Sequence, residues 1–223
     1  MEMHIQALFT HDAWSCILAI NSWQGGTAPR FFLGRTEQGT IWRFRNDLPE
    51  QLCDKLTVLC QRESVTISER PKYETEYIRL LAENAPIKQI WLGPAYWFAN
   101  GAAIVEETVL INEQNAHLLQ GGFDDWLPDI PHQQPIVAML VGGRAVALCA
   151  SVRISKFAHE AGVETVPSQR RKGYAVKVVS GWANAVAKLG VQPLYSTSIE
   201  NLASQNVTNR LGLSKFGVDF HIT

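Results

Sequence analysis

Arg170, Arg171 and Lys172 stand just ahead of Gly173 and Ala175, between a segment of alternating character and a long apolar stripe. That arrangement suits anion binding. A helix that begins near Arg171 leaves its first N–H groups without intrahelical partners, and its dipole puts partial positive charge at the same end. Gly173 has no Cβ and lets a ligand approach the backbone, while Ala175 is the smallest residue that keeps helix propensity. Three cations around those donors suit a diphosphate better than a carboxylate. A charge run by itself is ordinarily a solvated surface; the position after a strand and before an apolar stripe favours a binding role.

Groups able to move protons lie just upstream. His159, Glu160 and Glu164 fall on the strand that enters the turn. Period-2 alternation puts Glu160, Glu164 and Val166 on one face, with His159 and Thr165 on the other. A bulge would reverse that assignment part way along. Glu106 and Glu107 are lesser candidates. Further on, the hydroxyls of Tyr195, Ser196, Thr197 and Ser198 alternate along another strand, and Asn201 has the residue type of a helix N-cap. His4, His11, His117, His132 and His221 form no i, i+4 pair and no ligand cluster, so no metal site is expected.

These residues need a frame. Val178, Val179, Trp182, Val186 and Leu189 continue the spacing that starts at Ala175, giving one apolar stripe, and Gly190 with Pro193 close behind ends the helix. Gly142-Gly143 between apolar runs at 136–141 and 144–154 is the strongest hairpin signal. Strands are also expected over 31–36, 40–45, 88–98, 102–112, 159–166, 191–198 and 215–221. Helices are expected over 5–23, 50–61, 71–83, 115–126 and 201–211, the fourth weakened by Gly121-Gly122. Trp14, Trp23, Trp42, Trp91 and Trp97 concentrate in the first half, where ordinary core packing is the plainer reading and a lined apolar pocket the sharper one.

The 223 residues suffice for one large domain or two small ones, with a preferred boundary at Asn100-Gly101. This gives residues 1–98 as an accessory domain and 99–223 as the domain that carries the chemistry. Twenty Lys+Arg against 21 Asp+Glu leave a net charge of −1, which supplies no bulk drive toward nucleic acid or membrane. Cys16, Cys53, Cys60 and Cys149 have no metal-ligand spacing and read as reduced core residues. No apolar leader and no uncharged run near 18 residues is present, so a cytoplasmic protein is expected.

The run Arg170 to Ala175 resembles the R-x-x-G-x-G/A signature with which the GNAT superfamily of acyl-CoA N-acyltransferases holds the pyrophosphate of coenzyme A. Thr165-x-Pro167 matches that family's V-x-P lead-in with Thr for Val. A second block, Asn201-Leu202-Ala203-Ser204 followed by Val207 and Leu211-Gly212-Leu213, is similar to its N-x-x-A/S…L-G-F segment. Two blocks in the right order are more specific than one. The resemblance covers roughly residues 100–223.

It implies an α/β (α+β) fold, a mixed, largely antiparallel twisted sheet flanked by helices, with an N-terminal α/β accessory domain. It also implies acetyl-CoA on Thr165, Val166, Arg170, Arg171, Lys172, Gly173, Tyr174, Ala175, Asn201 and Ser204. The implied reaction is N-acetylation by direct attack of an amine in a ternary complex. The oxyanion donor would be a backbone N–H at Val166 or its neighbours, the base Glu160 or else His159. The family's usual acid Tyr is replaced by Thr208, so that role would pass to Tyr195, Ser204 or water. The acceptor would be an amine, a small molecule in preference to a protein, handled by a monomer or homodimer. The alternative is an acyl-CoA-binding sensor or assembly domain without turnover.

Overall fold

The computed structural model describes residues 1–67, 70–99, 101 and 107–223. Asn100, Glu106 and the first part of the strand expected over 102–112 lie outside the described residues. In chain order the elements are α1 (Glu2–Leu8), β1 (Phe9–His11), β2 (Ile17–Ile20), β3 (Phe31–Thr36), β4 (Gly39–Phe44), α2 (Glu50–Gln61), α3 (Glu74–Asn84), β5 (Ile90–Trp97) and β6 (Thr108–Ile111). Short 3-10 helices follow at Glu113–Leu119 and Asp124–Asp129, then β7 (Ile136–Val141), β8 (Arg144–Ile154) and β9 (Ala158–Thr165). A 3-10 turn at Pro167–Gln169 leads into α4 (Tyr174–Lys188), β10 (Gln192–Ser196), α5 (Leu202–Leu211) and β11 (Ser214–Ile222).

Two compact units result, one of Met1–Tyr96 with Ser196–Leu202 and Lys215–Thr223, the other of Trp97–Tyr195 with Ala203–Ser214. Strands follow the order β4-β3-β11-β5 in the first and β10-β9-β8-β7-β6 in the second. The pairs β3/β4, β3/β11, β6/β7, β7/β8 and β8/β9 are antiparallel, and β9/β10 is parallel. The class is therefore the expected one, α/β with a mixed, largely antiparallel sheet.

In the first unit β3 is buried on both faces, which is why its start, Phe31-Phe32-Leu33, is apolar without alternation. Phe31 and Leu33 pack with Leu56, Tyr77 and Leu81 of α2 and α3, while Phe32 packs with Ile5, Phe9 and Ile17 on the other side. The helix expected over 5–23 is not formed. Only α1 is helical there, and β1 and β2 make a hairpin instead. Asp12 explains the break: its Oδ1 accepts the N–H groups of Trp14 and Cys16, each at 2.9 Å, while Ser15 sits at φ 65°. A side chain that bonds the backbone ahead of it competes with helix and favours a turn. The tryptophans are not all core, since Trp14 is 84% exposed, Trp23 44% and Trp97 41%. Cys60 and Cys149 are buried, but Cys16 and Cys53 are only half-buried.

In the second unit the helix expected over 115–126 is replaced by the two 3-10 helices, separated at Gly121 and Gly122, with Gly121 at φ 81°. The hairpin falls at Gly142 (φ 60°) and Gly143 (φ 77°), the positive pair a two-residue turn requires. Helix α4 crosses β7, β8 and β9 and buries Val178, Val179, Trp182, Ala183 and Val186. Trp182 is fully buried and its Nε1 donates to Ser151 Oγ at 3.0 Å. Trp182→Ala should therefore lower unfolding stability by about 3–5 kcal/mol, the range for deleting a large buried aromatic; urea denaturation of the variant measures it. Among the described residues no helix is long and apolar enough to cross a membrane.

Candidate functional site

Strand β9 is held by β8 along its length, from Ile154 opposite His159 to Ala147 opposite Thr165. On its other edge the parallel pairing with β10 spans only Ala158–Gln192, His159–Pro193 and Glu160–Leu194. Beyond Glu160 the two strands separate. Val166 N–H donates to Val146 O at 3.0 Å, toward β8. Main-chain groups on a strand point alternately to its two edges, so the N–H groups of Ala161, Val163 and Thr165 point into the gap. An oxyanion donor at Val166 itself would have to leave its carbonyl partner, and the donors open to the gap lie on those three neighbours.

At its far end the gap meets the basic turn. Arg171 (φ 64°) and Gly173 (φ 84°) are both left-handed, and Gly173 serves as the N-cap of α4, which starts three residues later than the sequence suggested. Two left-handed residues so close together keep main-chain N–H groups converging outward, the concave form that takes anions. Among the described residues the N–H groups of Gly173, Tyr174 and Ala175 have no acceptor in the chain. Arg170 Nε donates to Thr165 O at 3.2 Å and Lys172 Nζ donates to Gln169 Oε1 at 2.7 Å, so two of the cations brace the turn. Arg171 is exposed.

A fourth cation was missed. Arg210, in the last turn of α5, brings its Nη2 to 3.4 Å from where a Cβ on Gly173 would be. It lies well outside the run of charges in sequence, and only the packing of α5 makes it a neighbour. Ser204, on the same helix, shares a 2.7 Å hydrogen bond with the Tyr195 hydroxyl, and Tyr195 follows the last residue of β10 that is paired to β9. Thr208 is buried and donates to Gln205 O at 2.8 Å, which spends its hydroxyl proton within its own helix. Asn201 is placed in the first unit, with its N–H donated to Ser198 O at 3.0 Å.

His159 and Glu160 point to opposite faces. The His159 Nδ1 lies 2.9 Å from Ser151 Oγ, under Trp182, and burial lowers the imidazole's pKa so that it stays neutral near pH 7. Because Trp182 Nε1 can only donate, Ser151 Oγ accepts there and is left with its own proton for His159 Nδ1. Glu164 accepts from Trp126 Nε1 at 2.7 Å on the other face, and alternation puts Glu160 on that face too. The bulge considered from sequence falls on β8, at Val152, so the alternation of β9 is uninterrupted. Glu160 is 2% exposed and occupies the vertex where the strands part. Lys177, in the first turn of α4, forms an ion pair with Glu107.

Residues 137–216 match the family model described as GNAT acetyltransferase. Among solved structures, a GCN5-related N-acetyltransferase-like protein from Streptococcus suis is 14% identical, at a TM-score of 0.51 over 94% of this chain and 92% of that one. A GNAT-family acetyltransferase from Colwellia psychrerythraea is 20% identical, at a TM-score of 0.50 over 82% and 76% of the two chains. A GNAT-family structure from Novosphingobium aromaticivorans is 14% identical at 0.51, covering 61% of this chain, and only 66% of its own length is spanned. No curated protein matches the chain. The resemblance drawn from the two motif blocks holds: residues 137–216 match the GNAT model, and the fold is that of GNAT-family structures.

Proposed function

We propose that the chain is an N-acetyltransferase that moves the acetyl group of acetyl-CoA to an amine by direct attack in a ternary complex. The parting of β9 from β10 just after Glu160 carries this reading, because it leaves main-chain N–H groups lined up along a gap that opens at an anion-binding turn. The donor set fits coenzyme A: unpaired N–H groups at Gly173, Tyr174 and Ala175 and the guanidinium groups of Arg171 and Arg210 suit its phosphates, and the open edge at 161–165 suits its amide-bearing arm. When bound, acetyl-CoA supplies an activated acyl carbon on a thiol leaving group.

Glu160, at the vertex, takes a proton from the acceptor ammonium so that its nitrogen can attack. An N–H of Ala161 or Val163 stabilises the oxyanion, a contribution of about 3–4 kcal/mol for a preorganised donor. As the C–S bond breaks, the Tyr195 hydroxyl, held by Ser204, supplies a proton to the departing sulfur. A thiol with an ordinary pKa of about 8.5 is also a good leaving group without one. Neutral His159, bonded to Ser151 and covered by Trp182, holds the start of β9 against α4. Thiol release from acetyl-CoA across a broad panel of amines tests the reading, with intersecting initial-velocity patterns expected and no acetylated side chain on the pathway. A chain that binds acetyl-CoA and never releases thiol would be the sensor instead.

Arg210→Ala should raise the Kd for acetyl-CoA by about three- to tenfold, an exposed cation facing phosphate being worth roughly 1 kcal/mol. Calorimetric titrations at two salt concentrations check this, with the difference from the parent shrinking at the higher one.

A further inference from the structure

Arg153 is the residue of the second unit that the chemistry above leaves unused. It stands directly across from Glu160 in the β8/β9 ladder, and it does so only because Val152 is bulged out of register. Without that extra residue Val152 would face Glu160. The bulge therefore brings a guanidinium beside the vertex carboxylate.

The arginine is incompletely used. It is half-buried, and among the described residues its single hydrogen bond runs from Nη1 to Val152 O at 2.7 Å. Burial lowers its pKa and the nearby Glu160 charge opposes that, as expected of a cation drawn partly out of water toward an anion. A planar fork with most of its N–H groups uncommitted is suited to a carboxylate held by two parallel bonds.

We propose that the acceptor is an α-amino acid or a close relative, with Arg153 taking its carboxylate and Glu160 taking its ammonium group. The inference rests on the N-acetyltransferase reading. One ammonium proton passes to Glu160, the amine nitrogen then forms the new bond to the acetyl carbon, and the C–S bond breaks. The second N–H proton, shed as the amide forms, replaces the one that the thiolate takes from Tyr195 or water. The products are an N-acetylamino acid and free coenzyme A. A simple amine would leave Arg153 and its share of binding energy unspent, so the carboxylate sets specificity.

The test compares each standard L-amino acid with its decarboxylated amine, for example L-leucine with 3-methylbutylamine and L-phenylalanine with 2-phenylethylamine, using acetyl-CoA and a thiol-release readout. At least one amino acid should exceed its amine by 100-fold or more in kcat/KM. In Arg153→Met that preference should fall to less than threefold, mostly through KM, with acetyl-CoA affinity unchanged; Arg153→Lys should keep part of it. Equal or better use of the amines, or equal losses for both members of a pair in Arg153→Met, would overturn the inference. If no amino acid or amine is turned over although acetyl-CoA raises the melting temperature, calorimetry of the amino acids against the coenzyme A-loaded protein decides, and absence of binding overturns it. Turnover of some other amine in that case would leave the acetyltransferase reading standing, whereas failure to bind acetyl-CoA would remove that reading itself.

Discussion

Gly173→Val is expected to weaken acetyl-CoA binding by about 30- to 100-fold while leaving the fold in place. At φ 84° the residue is in the left-handed region. A β-branched residue there costs on the order of 1–3 kcal/mol, which the turn can avoid only by changing its main-chain angles. Those angles are what hold the N–H groups of Gly173, Tyr174 and Ala175 outward, so relief of the strain and loss of the anion site are the same event. The new Cβ would also stand 3.4 Å from Arg210 Nη2, and the branches beyond it would push that guanidinium off the turn. Together these effects reach roughly 2–3 kcal/mol, hence the size of the change. The turn is exposed and joins two elements held elsewhere, β9 by its β8 ladder and α4 by Trp182, so melting temperature should move little. Calorimetric titration of acetyl-CoA into parent and variant measures the difference, and an unchanged Kd would remove the basic turn from the site.

Why was this turn legible from sequence and the vertex not? The turn is local. Glycine where a positive φ is needed, cations beside it and an apolar stripe after it all fall within one stretch of chain, and each is a property of residue type. The hairpin at Gly142-Gly143 and the helix stop at Gly190 were readable for the same reason. The vertex depends on where a parallel ladder stops, and that is fixed by packing between segments about 30 residues apart in the chain. Arg210 and Arg153 are equally invisible in sequence: the first needs α5 laid beside the turn, the second needs a one-residue bulge in β8. Local chemistry also explains the clearest miss. Apolar residues between positions 5 and 23 carry a helical rhythm, but Asp12 closes a turn with its own side chain and the β-branched and aromatic residues on either side pair as strands. Trp14, at the tip of that turn, is consequently exposed instead of buried.

Glu160→Gln should lower kcat/KM near pH 7 by about 100- to 10,000-fold with little change in acetyl-CoA affinity. The range is that of general base catalysis, and the substitution keeps the side chain's shape and an oxygen acceptor while removing its ability to take a proton. Packing at the vertex is therefore retained, including the neighbouring Leu194 on β10 and Arg153 on β8. The deficit should narrow as pH rises. An acceptor amine with a pKa of about 10 is roughly one part in a thousand neutral at pH 7 and about a quarter neutral at pH 9.5, so the variant gains substrate that needs no base. A merely structural Glu160 would give a loss that persists across that interval and would weaken acetyl-CoA binding along with it. His159→Gln serves as the contrast, because a neutral imidazole bonded to Ser151 under Trp182 has no proton to collect from the gap: its rate should fall less than Glu160→Gln at pH 7 and show no recovery at pH 9.5. If the two variants exchanged these behaviours, the base would be His159, and the face of β9 open to the acceptor would be the one toward α4.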